Sequence, residues 1–274
     1  MTVSKNLYED NWRFLWGLCY RMTGNAADAE DIVQEVFVKA MGSPRLDSGR
    51  PLRSWLVRVA MNLSRDHLRK RRREGYTGPW LPSPLPTDEH PEFQDAAAAS
   101  NDSPVARYDM IESVSLAFML ALEALTPTQR AVLLLRDVFD YTTPEAAELL
   151  GVTENTVRVT LHRARRLMRS YGKQRVRAAQ AHRDKVKLAL ERFLDCLRRR
   201  DAQAIEQLLT EDVVLTSDGG GEVAALLSPM RGREKVLQLI ARLNSLYANR
   251  TRATFRMLNG LRQDAWGISI RRDR

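Results

Sequence analysis

Apolar and polar positions along this chain repeat with a period close to 3.6 residues, and the breaks in that period divide it into blocks. Asn11–Thr23 and Ala26–Met41 each carry an apolar stripe at helical spacing, the second through Ile32, Val33, Val36, Phe37 and Ala40. Gly24 and Asn25 separate the two as a turn. Asp28, Glu30 and Asp31 then fall in the first turn of the second helix, where the helix dipole favours negative charge. Gly42-Ser43-Pro44 closes that helix and opens a loop to Pro51. A third helix is predicted from about Leu52 to Arg73, with Trp55, Val59, Leu63 and Leu68 on its buried side.

A second helical block has sharper punctuation. Thr126-Pro127 and Thr143-Pro144 each offer an N-cap followed by proline at the first helical position. The helix from Thr143 ends near Gly151, and Val152-Thr153 leads into another from Glu154. Val157, Leu161, Ala164 and Met168 turn that last helix inward, which leaves Asn155, Arg158, His162, Arg163 and Arg166 facing out. Two short helices around a Gly-containing turn, the second basic, have the form of a helix-turn-helix. A solvated basic face on an ordinary helical hairpin is the other reading of the same pattern. Beyond it, Val186–Leu197 and Asp201–Leu209 read as helices and Val213–Thr216 as a short strand ended by Ser217-Asp218-Gly219-Gly220-Gly221. A helix over Glu234–Leu246 and a strand over Thr251–Leu258 follow, so this third block is α+β.

Charge sharpens the division. The 274 residues carry 43 Lys plus Arg against 34 Asp plus Glu, a net +9, which makes nucleic acid the first partner to test. The first block ends in a basic run from Arg65 to Arg73, and Glu154–Arg177 holds eight basic residues against one acid. Between them, Pro82–Pro104 contains five acids and no Lys or Arg, in a proline-rich stretch that reads as an extended linker. The longest apolar runs, such as Ala131–Leu135, are far short of the ~20 residues that span a bilayer. The polar first residues lack the apolar core of a signal peptide. Cys19 and Cys196 alone make neither a disulfide framework nor a zinc site, and the four His include no HExxH. The expectation is a cytoplasmic protein without membrane span, metal or cofactor.

At the level of motifs, the first two blocks resemble the extracytoplasmic-function (ECF) class of bacterial sigma factors. The resemblance rests on Asp28-Ala29-Glu30-Asp31-Ile32-Val33-Gln34-Glu35-Val36-Phe37 and on Trp55–Asn62 with Asp66 following. It continues in Leu125–Arg130 and Ala146–Val152, and closes with Thr156-Val157-Arg158 and Leu161–Arg165. The third block resembles the SnoaL-like cone domains carried by some ECF sigma factors, through Gly78-Pro79-Trp80-Leu81-Pro82 and Asp218-Gly219-Gly220-Gly221. It departs from them in Ser83, where an acid is usual, and in Leu261–Arg274, which does not read like the family's ending, so the cone reads as truncated.

The resemblance implies a multidomain chain: sigma region 2 over 1–78, a Pro-rich acidic linker over 79–107, a region 4 helix-turn-helix over 108–177, and a SnoaL-like α+β regulatory domain over 178–274. It implies a protein without catalytic residues that binds core RNA polymerase and promoter DNA and is monomeric when free. Asp28, Asp31, Gln34 and Glu35 are the implied polymerase contacts. Arg45, Asn62, Arg65, Asp66, Arg69 and Lys70 are the implied −10 contacts, with Gly42–Arg50 as the loop that captures an unstacked base. Glu154, Asn155, Arg158, Thr160, Arg163, Arg165 and Arg166 are the implied −35 contacts, Arg158 as a reader of guanine and Arg163, Arg165 and Arg166 on phosphates. Val159 and Thr160 stand where relatives often carry polar and basic residues, which favours apolar contact with thymine methyls. Trp80, Leu81, Pro82, Asp218, Gly219 and Gly220 are expected to join the linker and sigma domains to the C-terminal domain. Two other functions fit parts of the chain: a helix-turn-helix repressor, which leaves the first block without a role, and a SnoaL-like cyclase or isomerase fused to a DNA-binding module, which needs a complete cone.

Overall fold

A computed structural model describes residues 2–42, 52–74, 81–85, 112–169, 180–218, 225–247, 251–257 and 266–272. The chain divides into two compact units, Met1–Gly75 with Pro82–Arg175, and Tyr76–Leu81 with Val176–Arg274. In the first unit, α1 (Thr2–Thr23), α2 (Ala26–Met41) and α3 (Leu52–Arg73) pack together, and α4 (Leu116–Leu122), α5 (Pro127–Asp137), α6 (Thr143–Leu150) and α7 (Glu154–Leu167) follow. The second unit holds α8 (Gln180–Arg199), α9 (Ala202–Leu208), β1 (Val214–Leu215), β2 (Met230–Arg231), α10 (Arg233–Tyr247), β3 (Thr251–Met257) and β4 (Trp266–Arg272).

The stripe expected on α2 is buried as read: Ile32, Val33, Val36, Phe37 and Ala40 all lie in the core. Asn25 caps this helix by accepting from the Asp28 amide at 3.1 Å. The inward set of α7 is buried too, from Val157 through Met168. In α3 the buried face is turned by one residue from the expected one. Leu56, Val57, Ala60, Met61, Ser64 and Leu68 are buried, while Trp55, Val59 and Leu63 sit half-buried at its edge. The reason is tertiary: α3 packs against α1 and α2 on one side and against α5 and α6 on the other, so its buried arc is broader than one stripe. Every residue from Ala131 to Leu135 in α5 is buried, as befits a helix surrounded by others.

The start of α6 also differs by one position. Thr142, not Thr143, is the N-cap, because Glu145 lies three residues beyond it and closes a reciprocal capping box. The Glu145 carboxylate accepts from the Thr142 amide at 2.7 Å, and Pro144 still falls within the first turn. Gly151 ends α6 with φ +65°, and the Val152 amide bonds back to the Ala147 carbonyl at 3.0 Å. This is the left-handed cap that glycine adopts without steric cost.

In the second unit the helices and strands come close to the expected positions, with Asp201 capping α9 and a short antiparallel pairing of β1 with β2. Leu261–Arg274, which carried no strand in the sequence reading, contains β4. It pairs antiparallel with β3 from Thr251↔Arg272 to Met257↔Trp266. The alternation Trp266, Ile268, Ile270 is the period-2 signal that marks it.

Candidate nucleic-acid interface

The geometry of α7 follows from its two neighbours. Thr153 caps its start by accepting from the Thr156 amide at 3.2 Å, and Val157, Leu161 and Ala164 press it onto α5 and α6. Asn155, Arg158, His162, Arg163 and Arg166 are exposed on the far side, and Glu154 and Thr160 are half-buried. Arg158 is not free on that surface, since its Nη2 donates to Glu154 one turn earlier at 2.5 Å. Arg165 differs from its neighbours. Its Nε and Nη2 grip the two oxygens of Asp137 at 2.9 and 2.5 Å, and Asp137 is only 1% exposed. That pairing gives Arg165 a structural partner within the fold, where the sequence suggested a phosphate contact.

The candidate polymerase contacts lie along α2. Asp31, Gln34 and Glu35 are exposed, Glu35 pairing with Lys39 at 3.1 Å. Asp28 is half-buried and sits 3.0 Å from His67 on α3. A cleft of about 380 Å³ brings Asp28, Asp31 and Glu35 of α2 together with Asp66, His67 and Lys70 of α3. Two sets of candidates with separate expected partners thus share one side of the first three helices. On α3, Asn62, Asp66, Arg69 and Lys70 are exposed, and Asp66 accepts from Arg69 at 2.8 Å. Arg65 is half-buried, with Nη1 within 3.5 Å of the Leu150 carbonyl at the end of α6. Burial, with the charge of Arg69 behind it, holds its guanidinium below the ordinary arginine range.

The two groups of helices are tied by arginines around one acid. Glu123, just after α4, receives Arg71 from the end of α3 at 3.1 and 3.2 Å and also receives Arg130 from α5. Arg130 is 1% exposed and further donates to the carbonyls of Met22 at 2.8 Å and Leu122 at 2.9 Å. Desolvation holds its guanidinium below the ordinary arginine range, while the Glu123 carboxylate opposes that shift. Arg72 donates to the Leu125 carbonyl at 2.6 Å and Arg71 to that of Thr23 at 3.2 Å. Arg21 is buried as well, bonded to Ser113 at 2.7 Å and Gly17 at 2.8 Å, and desolvation pushes its guanidinium down to about 10. It still carries its charge at neutral pH.

At the linker, the Leu81 amide donates to the Asp218 carboxylate at 2.7 Å, inside the second unit. In the first unit, Ser83 donates to the Gly24 carbonyl at 2.8 Å and accepts from the Tyr20 hydroxyl at 2.7 Å, and Pro82 and Leu85 are buried. Arg45 and the rest of the loop after Gly42, Trp80, Gly219 and Gly220 lie outside the described residues. Glu123, Asp137 and His67 were not singled out by the sequence. For Glu123 a signal exists, a lone acid in the apolar run Ala121-Leu122-Glu123-Ala124-Leu125. Among the described residues no cluster of metal-ligating side chains occurs, and no helix is long and apolar enough to cross a membrane.

Residues 7–74 match the family model for sigma-70 region 2, and residues 115–168 match that for sigma-70, region 4. The chain is 34% identical over 249 residues to the ECF RNA polymerase sigma factor SigJ of Mycobacterium tuberculosis, across 90% of this chain and 74% of that protein. It is 34% identical over 218 residues to SigG of the same species, across 74% of this chain and 58% of that protein. The crystal structure of the Mycobacterium tuberculosis extracytoplasmic function sigma factor SigJ superposes with a TM-score of 0.62 at 28% identity, covering 92% of this chain and 80% of that one. With a region 2 helical group, a region 4 helix-turn-helix and a SigJ-like sequence along most of its length, the chain belongs to the ECF sigma factors, which direct RNA polymerase to its promoters.

Proposed function

We propose a division of labour along the chain. Residues 1–78 dock on core RNA polymerase through Asp28, Asp31, Gln34 and Glu35, and meet the −10 element through Arg45, Asn62, Arg65, Asp66, Arg69 and Lys70. Residues 79–107 link them to residues 108–177, whose α7 enters the major groove at the −35 element. The observation that carries this reading is the two-sidedness of α7, with its apolar stripe buried and a polar and basic face exposed opposite it. Docking a helix in the major groove requires such a face.

The arginine ties around Glu123 support a second part of the proposal, that the free chain is held closed. The two promoter elements are about 25 base pairs apart, or ~85 Å of duplex at ~3.4 Å per step. A compact body the length of the first unit has a radius of gyration of only about 15 Å. Its two helical groups must therefore part before both elements can be occupied at once.

Residues 178–274 act as a SnoaL-like regulatory domain engaged by the linker. The bond between Leu81 and Asp218 supports that role, since it joins the two segments in which the resemblance lies. Asp218 works here as an acceptor for a backbone amide. The test is transcription with bacterial core polymerase. The full chain binds core polymerase one to one and directs promoter-specific initiation, and deletion from about residue 180 keeps binding but changes output. Specific duplex binding without affinity for polymerase would overturn the region assignments, and unchanged output after the deletion would remove the regulatory role.

A further inference from the structure

The sequence places one apolar side chain where the outward face of α7 should be most polar. Successive residues of an α-helix turn by about 100°. Counted from the buried stripe of Val157, Leu161 and Ala164, Val159 lies about half a turn round, at the pole of the exposed face. Asn155 and Arg166 stand next to it, within about 40° on the same count. Arg158 is about a quarter-turn away on the flank, on the side of Glu154, to which it is paired at 2.5 Å. Val159 is 42% exposed. A single exposed apolar residue is ordinary on a protein surface. Its place is what distinguishes this one, because a β-branched residue adds nothing to an exposed helix position.

In a helix lying in the major groove, the residues at the pole near its N-terminus approach base edges, whereas those on the flanks or toward its C-terminus, as Arg166 is, approach the phosphates. Valine has no hydrogen-bonding group to offer. The apolar feature that a base pair presents in the major groove is the thymine 5-methyl group. We infer that Val159 packs against a thymine methyl in the upstream promoter element, next to an adenine held by Asn155, whose carboxamide matches the donor and acceptor of an adenine edge. Residues four apart rise about 6 Å along the helix, close to two base steps of ~3.4 Å, so the two bases lie within about two base pairs of each other. This inference rests on the reading of α7 as the −35 helix and adds to it the bases that are read.

The experiment uses the full chain bound to bacterial core polymerase and a duplex library randomised over the upstream element. The wild-type selection is expected to contain a thymine within two positions of an adenine. Replacing that thymine by deoxyuridine removes only the methyl group and should weaken wild-type binding roughly three- to fivefold, the factor for one buried methyl. The same replacement should leave Val159→Ala nearly unaffected and remain costly for Val159→Ile. Asn155→Ala should relax preference at the adenine alone. If Asn155→Ala changes preference but no deoxyuridine position separates wild type from Val159→Ala, the thymine inference fails while α7 stands as the reader. If neither substitution alters the selected element, the placement of α7 fails and the inference goes with it.

Discussion

Arg165 and Arg166 are neighbours in sequence and opposite in circumstance. Arg166 projects from the exposed face of α7, and Arg165 turns back to hold the buried carboxylate of Asp137 with two hydrogen bonds. Removing Arg165 leaves the buried Asp137 side chain without its partner, which costs about 3 kcal/mol. Arg165→Ala should therefore lower the midpoint of thermal unfolding. Arg166→Ala should leave that midpoint unchanged, weaken binding to all promoters alike, and reduce the salt slope by about one phosphate's worth. Calorimetry with binding titrations at several salt concentrations separates the two. Both side chains read alike in the sequence, because a basic residue on a basic helix gives no sign of an acid that lies 28 residues earlier.

At the scale of the element, the helix-turn-helix depends on how its first helix begins and ends. Thr142 and Glu145 satisfy each other's amides, and Thr142→Ala should cost about 1 kcal/mol in a denaturant titration. The Thr142 hydroxyl, followed by its amide, holds the Glu145 carboxyl below its ordinary value of 4.5. A carboxyl whose value is depressed by folding contributes stability that is fully present above 4.5, and the contribution fades as pH falls toward the lowered value. Unfolding midpoints measured from pH 7 down to pH 3 should show this component in wild type and lack it in Glu145→Gln. The helix start was legible to within one residue. Two threonines stood side by side, and only the position of Glu145 chose between them.

At the scale of the molecule, Glu123 is the acid on which both helical groups converge. Arg130 is nearly inaccessible, so Glu123→Ala leaves its guanidinium without a counter-charge while also releasing Arg71 from the end of α3. We expect the substitution to destabilise the closed arrangement by about 1–3 kcal/mol. It should also raise the radius of gyration measured by small-angle scattering, with Glu123→Gln showing a smaller change in the same direction. An unaltered scattering profile for Glu123→Ala would mean that these ties do not hold the groups together.

The order of helices, the cap at Thr126, the helix end at Gly151 and the buried and exposed faces of α2 and α7 were all readable from the chain alone. Each depends on residues within a few positions of one another, where helical period and capping chemistry act. The face that α3 buries, the pairing of Arg165 with Asp137 and the gathering of Arg71 and Arg130 on Glu123 were decided only by the tertiary structure. Those outcomes depend on partners in other elements, for Arg71 and Arg165 tens of residues away, and a charged side chain carries the same local signature whether it meets water, a phosphate or a buried acid.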